Sequence, residues 1–313
     1  MLDDSLLKKL LQKQHYGLIG RNSAVKICEW TKKSLRDEGF CYKQQFYGIR
    51  SHLCCQMTPA TNFCSHSCIF CWRPLEPNLG VKMSKVDDPS GLIDACIEAQ
   101  RKKLSGFGGN KKVNISKLKE AQNPKHFAIS LSGEPTLFPK LPTLISELKK
   151  RKLSSFLVTN GTNPSMLRKL VKNQPTQLYI TLPAPDEETY NRVCQPTIKN
   201  GWKKIRESLL LIKKFKRSAV RLTLVKDLNM IKPDKYAQMI MKANPVFVEC
   251  KAYMFVGSSR LRLSIDHMPY HSDIKKFAGK IAECSDYKII DEKKESRVVL
   301  LMKKDKKSRI MKF

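Results

Sequence analysis

Residues 61–72 read TNFCSHSCIFCW and set Cys64, Cys68 and Cys71 in the pattern C-x3-C-x2-C. Three thiols on one short loop can hold a soft metal centre with little help from the rest of the chain. A structural zinc site asks for four ligands, and no fourth cysteine follows nearby. The trio fits a cubane iron–sulfur cluster better, with the fourth iron open to an exogenous ligand. His66, inside the loop, is the alternative zinc ligand.

The rest of the composition suits such a centre. An odd count of 11 cysteines, without a secretion signal, argues against a disulfide scaffold. The N-terminus MLDDSLLKKLLQKQ is acidic and then amphipathic, unlike a signal peptide. The apolar runs are too short to span a bilayer, so a cytoplasmic protein is expected. Lys plus Arg number 59 against 28 Asp plus Glu, a net charge of +31. That excess points to a polyanion, above all nucleic acid. Basic patches recur at 111–119, 149–152 and 303–309.

At 313 residues and 41% hydrophobic, the chain can bury a sizeable core. Short apolar runs alternate with helical patterns. Strands are expected at 126–132, 155–161, 177–183, 219–225 and 246–255. Helices are expected at 89–104, 140–152, 163–172, 200–216, 233–243 and 271–284, with a final hairpin over 287–303. This alternation predicts an α/β fold with a parallel sheet or barrel. No Pro/Ser-rich linker divides it. The expected organisation is a polar, helical N-terminal extension over 1–50, a main domain over 51–290, and a C-terminal strand with a basic tail over 291–313. The first strands run into polar ends: Ser132-Gly133-Glu134-Pro135-Thr136, Asn160-Gly161, and Ala184-Pro185-Asp186. In such folds the C-terminal ends of the strands form the active face, so these ends together suggest one shared site.

C-x3-C-x2-C ahead of a parallel α/β pattern resembles the radical S-adenosylmethionine (SAM) superfamily. The resemblance implies a partial (β/α)6 barrel, TIM-like, whose cluster binds SAM through its open iron. Reductive cleavage of SAM then gives a 5′-deoxyadenosyl radical. It also implies that Ser132, Gly133 and Glu134 stand for the element that binds the SAM amino group, with Ser for the first Gly. Asn160 and Thr181 would be ribose and methionine contacts.

A second set of thiols, Cys28, Cys41 and Cys54, follows C-x12-C-x12-C. Taken alone these read as small buried residues. Cys55 beside Cys54 leaves the last member ambiguous. Yet AVKICEW, CYKQQFYGIRSHLCCQMTPATNFCSHSCIFCWRP, GFGGN, PKHFAISLSGEPTLFP, VTNGT and HMPYH together resemble the 4-demethylwyosine synthases of wybutosine biosynthesis, from about residue 20 to 272. The resemblance implies two 4Fe–4S clusters, one on Cys28, Cys41 and Cys54 and one on Cys64, Cys68 and Cys71. It implies a lyase whose substrates are pyruvate and N1-methylguanosine beside the anticodon of phenylalanine tRNA. Lys43, two residues after Cys41, would form a Schiff base with pyruvate. The length is similar to the archaeal single-domain form, which implies a monomer served by an external flavodoxin- or ferredoxin-type reductant. LVKDLN (224–229), Pro183 and the neighbours of Arg262-Leu263 depart from the family pattern.

A splayed anticodon-loop base could stack on Trp72, Phe70 or Tyr47. The loop SGFGGNKKVN (105–114) reads as a flexible basic segment for tRNA, and the tail at 303–313 as a further tRNA contact or a loose end. Two rivals stand beside this reading. A glycyl-radical activating enzyme shares the cysteine loop but gives no reason for the charge. A non-enzymatic cluster-containing RNA-binding protein leaves Ser132-Gly133-Glu134 unexplained.

Overall fold

The structure is a computed structural model that describes residues 4–313, with side chains from residue 8 onward. The chain forms two compact units. The first holds the chain through Cys64, with 76–158 and 308–313; the second holds 65–75 and 159–307. Among the described residues no helix is long and apolar enough to cross a membrane.

In the first unit, helix α1 (Asp4–Lys13) leads into an antiparallel hairpin, β1 (Gly17–Ile19) and β2 (Ser23–Lys26). Two short helices follow, α2 (Glu29–Leu35) and α3 (Tyr42–Tyr47), then β3 (Cys54–Thr58). Strand β2 pairs antiparallel with β3. The parallel part begins there: β3, β4 (His126–Ile129) and β5 (Ser154–Thr159) pair side by side. Their crossovers carry α4 (Pro89–Leu104), α5 (Ile115–Ala121) and α6 (Leu141–Lys150). Helix α4 starts where Asp88 caps the amides of Ser90 and Gly91 and Pro89 occupies the first turn. Helix α6 buries Leu141, Leu144, Ile145 and Leu148, the i, i+3, i+4, i+7 stripe of an amphipathic helix.

The second unit has three parallel strands of its own: β6 (Gln177–Thr181), β7 (Ser218–Leu224) and β8 (Phe247–Ala252). Helices α7 (Pro164–Lys172), α8 (Glu187–Cys194), α9 (Gly201–Leu211), α10 (Pro233–Ala243) and α11 (His271–Glu283) alternate with them. The final hairpin, β9 (Lys288–Lys293) and β10 (Val298–Met302), continues this sheet, with β10 antiparallel to β8. Strands β4 to β8 fall on the five strand segments expected from the sequence pattern, and β3 is the sixth, which only the family resemblance implied.

Three segments differ from expectation. The region 1–50 is not wholly helical, because β1 and β2 form within it. The 105–114 loop carries a 3-10 turn, Ser105–Gly109, and the tail is not a loose end. Met311 donates its amide to the Tyr47 carbonyl at 2.9 Å, Arg309 bonds the Phe46 carbonyl at 3.1 Å, and the Phe313 ring lies 4.5 Å from that of His126.

Candidate active site

The segment leading into Cys64 is pinned from the end of β4. Ser132 Oγ donates to the Thr61 carbonyl at 2.8 Å, and Thr58 Oγ1 donates to the Ser132 carbonyl at 2.6 Å. The Glu134 amide donates to the Phe63 carbonyl at 2.7 Å. Gly133 stands between them at φ +68°, where a Cβ would lie 1.7 Å from the Ala60 carbonyl oxygen. Only glycine fits there. The Glu134 side chain is buried and accepts from the Thr136 amide at 3.0 Å and hydroxyl at 2.5 Å. Asn78 clamps Cys64 from both sides: its Oδ1 accepts from the Cys64 amide, and its Nδ2 donates to the Cys64 carbonyl, both at 3.1 Å. Sequence reading missed Asn78, which stands in no recognisable motif.

In the second unit the rest of the loop is held by α8. The Ser67 amide donates to the carbonyls of Cys194 and Gln195, and the Ile69 amide to that of Val193. Arg262 donates to the carbonyls of Ile69, at 3.1 Å, and Cys71. His66 is buried, its Nε2 2.8 Å from the Tyr190 hydroxyl, and burial lowers its pKa to about 3. It is therefore a neutral imidazole at pH 7. Cys68, Cys194 and His66 have one potential ligand atom each within 4.8 Å of one another. Contact with the Cys194 thiol, followed by burial, pushes the Cys68 thiol well up. Asn160 donates from Nδ2 to Ser65 Oγ at 2.9 Å, and Thr181 ends β6 half-buried. The soft, sulfur-rich donors of the loop suit a cubane cluster. The hard oxygen ligands of calcium or magnesium do not supply this pattern.

The first unit brings the second set of cysteines into one neighbourhood. Cys28 occupies the N-cap position of α2 and Cys41 that of α3. The backbone at Trp30 and Thr31 opposes, without cancelling, the rise that burial imposes on the Cys28 thiol. Cys54 opens β3; burial raises its thiol to about 12, with Cys28 and Cys41 adding to the rise and Lys43 opposing it. Burial raises the Cys28 thiol too, and Lys43 opposes that rise. Lys43 is 8% exposed, with Nζ 5.2 Å from the centre of the Phe156 ring. Strand alternation separates the adjacent cysteines: Cys54 is half-buried, whereas Cys55 is fully buried and burial pushes its thiol well up. Of the aromatic residues proposed for base stacking, Tyr47 is fully buried, whereas Phe70 and Trp72 are half-buried.

A sulfur-rich loop that follows the parallel strand β3, in a chain of alternating strands and helices, is the arrangement of a radical SAM enzyme. Residues 58–240 match the Radical SAM superfamily, which carries SAM and a 4Fe–4S cluster, and residues 242–303 match the family of wyosine base formation. A relative from Pyrococcus horikoshii, named S-adenosyl-L-methionine-dependent tRNA 4-demethylwyosine synthase, is 52% identical over 95% of this chain and 88% of its own. One of the same name from Methanocaldococcus jannaschii is 38% identical over 96% of both chains. A solved structure described as TYW1 with a lysine-pyruvate adduct bound is 36% identical, covers 99% of this chain and all of its own, and superposes with a TM-score of 0.90. The chain belongs to the tRNA 4-demethylwyosine synthase family.

Proposed function

We propose that this chain makes 4-demethylwyosine from N1-methylguanosine beside the anticodon of phenylalanine tRNA, taking its added carbons from pyruvate. The observation that carries the reading is Lys43: a buried amine, stacked on Phe156, electrostatically coupled to Cys28 and Cys54. A desolvated amine is the kind that attacks a keto carbon. The related structure with a lysine-pyruvate adduct supports giving Lys43 that part.

A 4Fe–4S cluster on Cys64, Cys68 and Cys71 supplies, when bound, the electron that cleaves SAM to the radical that abstracts hydrogen from the N-methyl group. The protein's own work is positioning. Ser132 and Gly133 fix the entry to the cluster loop, and Glu134 offers a carboxylate for the SAM amino group. Asn160 and Thr181 are assigned to the ribose and methionine ends. Lys43 forms an imine with the pyruvate keto carbon as water leaves, which holds the two-carbon unit in place. Loss of the pyruvate carboxyl carbon makes the enzyme a carbon–carbon lyase. Cys28, Cys41 and Cys54 are assigned a second 4Fe–4S cluster beside Lys43, carried by the N-terminal region. Their shared surroundings and the position of two of them at helix N-caps support this. An external one-electron reductant completes the reaction, and a cytoplasmic monomer is the expected form.

Borohydride trapping tests the assignment of Lys43. Incubation with pyruvate and reductant should leave a mass adduct on the peptide containing Lys43, and Lys43→Arg should remove both adduct and product. Product formation by Lys43→Arg at close to the wild-type rate would refute it.

A further inference from the structure

A cavity of about 580 Å³ opens in the first unit. Its walls include Lys26 of β2, Lys32 and Arg36 of α2, Lys102 and Lys103 of α4, and Phe107. Among the described residues that line it there is no carboxylate. Carboxylates approach three of these cations from outside the lining: Glu29 lies 3.7 Å from Lys32 and 4.0 Å from Arg36, Glu38 2.7 Å from Arg36, and Glu98 3.8 Å from Lys102. Lys103 makes no ion pair among the described residues, and its stem packs on Gly17, where a Cβ would come within 2.8 Å of Cε. Burial lowers the Lys103 pKa. Five cations facing one hollow repel one another, and an anion inside it relieves that cost.

The shape selects among anions. Several hundred Å³ admits a nucleotide-sized group rather than a folded domain. Phe107 is half-buried at the wall, and an aromatic face beside phosphate-binding cations is how single-stranded nucleic acid is held. We propose that this cavity is a separate RNA subsite that grips a backbone phosphate and the adjoining unstacked nucleotide of the tRNA, an inference that rests on the functional reading above. Lys26 and Lys32 flank Cys28 in sequence. The subsite therefore ties the tRNA to the segment that carries the first of the dispersed cysteines.

The test compares wild type with Lys32→Gln/Lys103→Gln in anisotropy titrations of labelled tRNA at several salt concentrations. Iron content and thermal midpoint confirm that the variant is folded and loaded; a single Lys103→Gln replaces the double variant if it is not. The expected result is tRNA affinity weaker by about tenfold and a log–log salt slope shallower by roughly one, as for one or two lost phosphate contacts. Unchanged affinity and slope overturn the proposal. So does unchanged tRNA binding with tight uptake of inorganic phosphate, or with slower reduction by flavodoxin, since the cavity would then serve a free anion or an acidic protein. Wild type that binds no tRNA refutes the functional reading itself.

Discussion

The compact cysteines and the dispersed ones differ in what they ask of the fold. Cys64, Cys68 and Cys71 lie within one short loop, so their chelating geometry is nearly a local property. The fold adds clamps: Asn78 on Cys64, Arg262 on the Ile69 and Cys71 carbonyls, and α8 on Ser67 and Ile69. Cys28, Cys41 and Cys54 have no local relation. They share an environment because two short helices and a strand begin with them. Local spacing thus suffices to recognise a metal loop, while a dispersed set is recognised only when its packing is known.

The largest effects should separate the sets. Cys68→Ala should lower reductive SAM cleavage by at least about a thousandfold. Cys41→Ala should keep SAM cleavage and lose the tricyclic product. Each should lower iron from about eight to about four per chain if both sets hold cubanes. Iron unchanged in Cys41→Ala would end the parallel between the sets. Lys43→Arg comes next: iron and SAM cleavage stay, while product falls by roughly a hundredfold or more. Loss of iron in that variant would make Lys43 a structural support of its neighbours rather than a reacting amine.

Gly133→Ala tests how the entry to the compact loop is held. The substitution forces a Cβ at φ +68° against the Ala60 carbonyl. Strain and displacement should cost about 2–4 kcal/mol. The thermal midpoint should fall and the KM for SAM should rise, with the pyruvate adduct on Lys43 retained. A normal KM would detach this turn from SAM binding.

The parallel strands were legible because β4 to β8 are short apolar runs bounded by turn residues, and the helices because their apolar stripes repeat at helical period. Strand β3, CCQMT, escaped notice because it is short and lacks β-branched residues until its last position. Helix α8 was hidden behind Pro185 and Asp186, which read as a turn; Asp186 is in fact its N-cap. The polar pair Arg221 and Glu249 was also invisible. Each interrupts an apolar strand, and only the register of β7 on β8 reveals that they face each other, 2.9 Å apart and largely buried. The supports Asn78, Tyr190 and Cys194 carry no spacing signal, since their partners are more than ten residues away.

Arg262→Lys probes the exit of the compact loop. Lysine keeps the charge but cannot present the guanidinium fork to the carbonyls of Ile69 and Cys71. A hydrogen bond from a charged donor contributes about 1.5–3 kcal/mol. Cluster loss in air should quicken several-fold, measured as the decay of visible absorbance in a Cys41→Ala background that isolates the compact set. An unchanged decay would mean that the thiols alone hold the loop.

The smallest effect is expected from Asp186→Asn, and its pH dependence gives it diagnostic value. Asp186 accepts from the Thr189 amide at 3.0 Å, capping α8, and pairs with Lys232 at 2.7 Å. The hydrogen bond from Lys232 comes first among the causes that hold its carboxyl well below the usual range. A depressed folded-state pKa makes the ionised group stabilising above its unfolded value near 4, and that contribution is lost as pH falls through the folded value. Asparagine still caps, so at pH 7 the loss should be about 0.5–1 kcal/mol, mostly the partly exposed ion pair. The midpoint difference between wild type and variant should therefore be a few degrees or less at pH 7 and shrink below about pH 4. Helix α8 supplies the carbonyls that hold Ser67 and Ile69, so the same variant should shed iron faster from the compact loop and leave the pyruvate adduct on Lys43 unchanged. A midpoint difference that does not vary with pH would remove the charge of Asp186 from the argument and leave only its capping role.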